Sequence, residues 1–185
     1  MKSLTLMGVV ALCAFAPAVY AQGTDQEMID RAVLAAPANA RAAAMVVKWA
    51  PDGARVVLRP GTNGVVCWDQ AAWPGQRPFS VHCTSVGNLP RVEQNREFFY
   101  KAGNAKDAEV LVQAAEKDKT RKVPEFGVGH YGLVGNDQAT ARPHMTIGVP
   151  FATTETLKLP VKPSGVTAWI MDAGTSGAHI MVPGS

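Results

Sequence analysis

Three histidines stand where imidazole chemistry is conceivable: His130 in Gly-Val-Gly-His-Tyr-Gly, His144 directly before Met145, and His179 two residues before Met181. Imidazole titrates near neutrality, so it can act as a general base, a pH-responsive group or a metal ligand. Methionine sulfur beside imidazole is a ligand pairing suited to copper. On strands, side chains alternate faces. Met145, Ile147 and Val149 therefore share one face, the expected core, while His144 and Thr146 share the other. His179 and Met181 likewise share a face, with Ile180 and Val182 opposite. If the strands bearing them are neighbours, these His and Met side chains converge on one patch of sheet. The plainer alternative has each imidazole bonded to a loop carbonyl or half exposed. No His-x-x-x-His pair or EF-hand loop is present, so neither a metal nor a cofactor is expected.

Other motifs point away from catalysis. There is no Gly-x-Ser-x-Gly, and Gly174-Thr175-Ser176-Gly177 reads as a strand turn. Gly127-Val128-Gly129 lacks the third glycine and the opening helix of a dinucleotide site, and no P-loop occurs. Asp25 with Glu27, and Glu93 with Glu97, read as helix-surface carboxylates. Trp49, Trp68, Trp73 and Trp169, with Tyr131, either line a ligand groove or pack at core edges.

The elements that must position these residues begin after residue 21. Lys2, the uncharged apolar run Leu4 to Ala16, Pro17 and the Val19-Tyr20-Ala21 site form the pattern of a secretory signal peptide, residues 1–21. The apolar run is too short for a spanning helix, and Leu12 before Cys13 disfavours a lipoprotein site. Residues 22–185 are then one exported domain, periplasmic or secreted, with no membrane span after cleavage. Formal charge is +3 for the whole chain, and loss of Lys2 lowers it by one. That mild value, with the mixed-sign run Glu116 to Lys122, argues against nucleic acid as a partner. Cys67 and Cys83 remain as a pair. In an oxidising compartment they are expected to form a disulfide worth about 3 kcal/mol in the chain-entropy account.

Along the chain, Thr24 to Glu27 is a capping box for a helix that Pro37 ends. Met45–Trp49 and Arg55–Arg59, joined through Pro51-Asp52-Gly53, predict a hairpin. Val65 to Trp68 predicts a third strand completing a meander after the Pro60–Gly64 turn. Asp69 to Arg91, rich in proline and glycine, reads as a loop held by the disulfide. Helices are predicted over Val92 to Lys101 and, capped by Asn104, over Ala105 to Lys119. Strands follow over 127–134, 143–149, 165–171 and 178–182. The sum is an α+β single domain, an antiparallel sheet of about seven short strands with two or three helices.

Leu58 to Gly64 running into Cys67, Arg142-Pro143-His144-Met145, and Ala178-His179-Ile180-Met181-Val182-Pro183 resemble the "GTNG…C", "PHxM" and "AHxMxP" segments of a family of exported bacterial proteins. Val65 departs from the aromatic expected after the Asn-Gly turn. The resemblance spans roughly residues 40 to 183; it implies export and a single domain, and carries no activity with it. The leading expectation is a monomeric, non-catalytic module that binds a small ligand or an envelope protein. The rival is a His-centred enzyme or metal-binding protein using His130, His144 and His179.

Overall fold

The computed structural model describes residues 23–183. The expected signal peptide, residues 1–21, lies outside the described residues. One eight-stranded sheet organises the described chain, in the order β2-β1-β3-β4-β5-β6-β8-β7. Its strands are β1 (Met45–Trp49), β2 (Arg55–Arg59), β3 (Val65–Asp69), β4 (Phe79–Ser85), β5 (Gly129–Gly135), β6 (Arg142–Gly148), β7 (Trp169–Met171) and β8 (His179–Met181). The helices are α1 (Asp25–Ala32), α2 (Leu89–Ala102), α3 (Ala105–Lys117) and the single turn α4 (Thr154–Leu157), besides short 3-10 turns. Among the described residues, no helix is long and apolar enough to cross a membrane.

Local signals hold where they are short-range. Thr24 and Glu27 form the reciprocal capping box that starts α1. Asn104 caps α3 by accepting from the Asp107 amide. The α+β class stands, but the sheet is mixed, with one parallel pair, and has one strand more than expected. The hairpin of β1 and β2 forms as anticipated. The meander does not: β3 pairs with β1, in parallel, and β2 is left as an edge.

The route between β2 and β3 explains this. The connection turns across the start of β1, where the Thr62 amide donates to the Ala43 carbonyl at 2.8 Å. Arg59 donates to the carbonyls of Arg41 and Ala44 at 2.6 and 2.9 Å. At Gly61 the backbones lie so close that a Cβ would stand 2.2 Å from the Met45 nitrogen. Only glycine permits that approach.

The extra strand is β4, in the stretch read as a loop. Prolines and glycines there dominate the local pattern, yet Phe79-Ser80-Val81-His82-Cys83-Thr84 alternates apolar and polar residues, as a half-covered strand does. β4 pairs with β3 so that Cys83 lies directly opposite Cys67. Their sulfurs are bonded at 2.12 Å, and both residues are fully buried. Alkylation of the urea-unfolded protein without reductant should leave the mass of these two cysteines unchanged; two alkylated thiols would overturn the pairing.

Both faces of the sheet are covered around β1 and β3, which is why Val46, Val47, Val66, Cys67 and Trp68 are all buried. Ile29, Ala32, Val33 and Ala36, from α1 and the turn after it, pack on the face bearing Val46, Cys67 and Cys83. Leu89 and Val92 of α2 pack on the opposite face, against Val47, Val66, Trp68 and Trp73. A third cluster, Val149, Ala152, Ile170 and Ala178, anchors the carboxy-terminal strands.

Candidate functional site

The face under α2 also carries the histidines. Trp68, His82, Gly132 and His144 are paired directly across β3, β4, β5 and β6, so they form one row. In the adjoining rows His130 pairs with Thr146, Thr146 with Met181, and His179 with Gly148. Directly opposed residues share a face, so four imidazoles project from one side of the sheet. The chain contains no others.

The sequence pattern does not single out His82, because the prolines and glycines around its strand make the stretch read as a loop. His82 lies nearest His130: the ring centroids are 5.4 Å apart. His82 stacks on Trp68 at 5.8 Å and 22°, and His130 meets the same indole edge-on at 5.9 Å. Gly132 makes room for this cluster, since a Cβ there would lie 3.2 Å from His82 Nδ1. The Ser80 hydroxyl lies 3.0 Å from His82 Nε2, while the buried Nδ1 has no partner among the described residues.

Partial burial between the sheet and α2 strips water from both half-buried rings and disfavours their charged forms. Desolvation, and then the neighbouring His130 and His144, push the His82 pKa down to about 3. Desolvation, followed by His144 and His179, lowers His130 to about 4. At neutral pH both are uncharged hydrogen-bonding groups and weak bases.

A cleft of about 350 Å³ opens beside them, between α2 and the ends of β5, β6 and β8. Trp68, Trp73 and Phe99 supply apolar wall, while His130, Thr146 and His179 supply polar groups. Much of the remaining polar lining is internally matched. The Asn88 amide donates to the Thr84 hydroxyl at 3.0 Å and accepts from the Glu125 amide at 2.8 Å. His179 differs. Its Nδ1 lies 2.8 Å from the Gly177 carbonyl, with an Asp172 carboxylate oxygen at 3.8 Å. A carbonyl only accepts, so Nδ1 carries the proton, and in the neutral ring Nε2 is an acceptor.

At the rim, Arg91 donates to the Ser176 hydroxyl at 2.9 Å and to the Lys122 carbonyl. Burial lowers the Arg91 pKa, against the opposing pull of Glu116 and Asp172. Glu116 accepts from both the amide and the hydroxyl of Ser176. Ser176 is 2 % exposed, so the Gly174–Gly177 segment is a braced turn between β7 and β8 with its serine enclosed.

The other sequence-based candidates are dispersed. His144 is exposed at the far side of Gly132 and does not line the cleft. Tyr131 lies on the opposite face, against the α1 cluster. Trp169 sits on the edge strand β7, paired with Met181. Trp49 and Trp68 do meet, at 6.5 Å, but with Trp73 and not with Trp169 or Tyr131. The single groove formed by Trp49, Trp68, Trp169 and Tyr131 is therefore not assembled: strand parity separates Tyr131, and sheet order separates Trp169. Among the described residues, no three His, Cys, Asp or Glu side chains converge as a metal-ligand set. Comparison with known proteins found no matching family model, no similar curated protein and no similar solved structure.

Proposed function

We propose that this chain is an exported, non-catalytic ligand-binding domain whose site is the cleft beside His130 and His179. The observation that carries the reading is the cleft's lining: aromatic wall, with imidazole and hydroxyl groups left open above it. Its charged lining groups are Arg91 and Asp172, of opposite sign, and His130 is held neutral. Such a lining suits a small uncharged molecule with hydrogen-bonding groups. His179 Nε2 asks for a donor, while His130 and Thr146 can serve donors or acceptors. Export is supported by the buried disulfide, which is characteristic of oxidising compartments, and by the resemblance to exported proteins.

The rival His-centred enzyme draws on one observation. His179, oriented by the Gly177 carbonyl near Asp172, presents an acceptor nitrogen to the cleft as a general base does. The low basicity of His82 and His130 weighs against a shared relay, which favours binding over turnover.

Imidazole-detected NMR with a panel of neutral probes (sugars, small amides and nitrogen heterocycles) tests the proposal. Expected are saturable shifts of the His130 and His179 rings, with the probes recovered unchanged. Gly148→Val should abolish them. That position faces the cleft opposite His179, and a Cβ there already stands 3.3 Å from the Glu125 carbonyl. Shifts confined to other residues, or conversion of a probe that is lost in His179→Gln, would overturn the reading.

A further inference from the structure

A second groove, of about 530 Å³, runs between α1, β1 and α2 on the other side of Trp73. We propose that it is a separate binding site for a planar aromatic carboxylate.

The argument rests on which polar groups along its wall are already matched. Asp69 accepts from Arg31 Nε at 2.5 Å and from the Ala71 amide at 2.8 Å. Glu27 is held by the capping box, accepting from the Thr24 amide at 2.6 Å. Lys48 is paired with Asp25 at 2.8 Å. The acceptors are thus engaged, and two of the three cations are neutralised. What remains is one cationic donor. Trp49 lines the groove with its ring, its Nε1 being enclosed with no partner among the described residues. Arg96 also lines it, and no carboxylate of the described residues pairs with it; its guanidinium lies 4.3 Å over the Tyr100 ring. Arg96 and Tyr100 stand one turn apart on α2, the spacing that brings side chains together on one helix face.

An unpaired guanidinium is matched by an anion, carboxylate and phosphate being its best geometric fits. The rest of the wall selects between them. Trp49 and Trp73 meet edge to face at 5.6 Å, and Leu58, Val46 and the exposed Tyr100 ring extend the apolar surface. A flat apolar body bearing one carboxylate uses both kinds of wall. A phosphate ester of the same size leaves a second negative charge facing Asp69 and Glu27.

This inference is independent of the cleft beside His130, apart from the shared wall at Trp73. In the full chain labelled at tryptophan nitrogen, titration with 2-naphthoate should shift the Trp49 indole resonance saturably. The neutral isostere 2-naphthamide should bind at least tenfold more weakly, and Arg96→Gln should remove that preference. Arg96 is a surface position on α2, so this variant should fold normally. His179→Gln, which alters the other cleft at a residue that does not line this groove, should leave the titration unchanged. Trp49→Phe, followed at the Trp73 indole that also lines the groove, should weaken 2-naphthoate binding while keeping the preference over the amide. Equal affinity for the two probes, a preference that survives Arg96→Gln, or shifts confined to the Trp68 indole would each overturn the proposal.

Discussion

Replacing Gly61 by valine should destabilise the domain by about 4 kcal/mol or more, enough to unfold a marginally stable protein. The cause is the crossing of backbones at the start of β1. A Cβ on residue 61 would stand 2.2 Å from the Met45 nitrogen and 2.7 Å from its Cα, far inside contact distance. Neither group can step aside, because Ala44 is fully buried and Met45 begins the strand that pairs on both edges. Gly64 supplies the control. It has φ +74° but open space around its Cα, so Gly64→Val carries only conformational strain of about 1 kcal/mol. Urea unfolding of both variants measures the difference. Similar losses would mean that the chain does not cross here, and that β3 lies beside β2 after all.

Acidification from pH 7 to pH 5 should cost about 3–4 kcal/mol through His82 and His130 together. Both folded-state pKa values, about 3 and about 4, lie below the ordinary 6.5. As pH falls below 6.5, the unfolded chain takes up protons that the folded rings refuse, so unfolding is favoured. Stability is therefore full above about pH 7 and declines by up to about 1.4 kcal/mol per pH unit for each ring. The decline ends only when the pH reaches the folded values. Carboxylates add their own dependence in acid, so the decisive measurement is a difference. The urea-unfolding free energy of wild type minus that of His130→Gln, followed from pH 7 to pH 5, should lose about half the total. A difference that stays flat, or a His130 ring that titrates near pH 6.5 in the native protein, would show that the cluster is wetter than its packing implies.

Features that depend on a few consecutive residues were legible before any tertiary contact was known. The Thr24–Glu27 box, the Asn104 cap and the Pro51-Asp52-Gly53 turn each close a hydrogen-bonded ring within about four residues, so local chemistry suffices. The parity of Met145 to Val149 and of His179 to Val182 followed equally from the pleat. That parity placed His144, Thr146, His179 and Met181 on the faces they occupy.

Neighbour relations were not legible, because pairing is chosen by burial summed over the whole sheet. Val65–Asp69 reads the same whether it adds to β2 or to β1. The covering of both faces by α1 and α2 buries Val66, Cys67 and Trp68 only beside β1. β4 was obscured because its flanking prolines and glycines speak for a turn, while its hydrogen bonds come from β3 and β5. With that strand hidden, His82 had no face, and its contact with His130 could not be foreseen. The sequence by itself determined the starts of α1 and α3, the Pro51-Asp52-Gly53 turn, the cysteine pair and the side of the strand that His144 and His179 take. Tertiary structure alone decided that His82 and His130 meet over Trp68, that Tyr131 and Trp169 stand apart from them, and that two clefts open on either side of Trp73. Each of these depends on strands brought together across long stretches of chain, where loop-closure entropy and shared burial, not local preference, set the outcome.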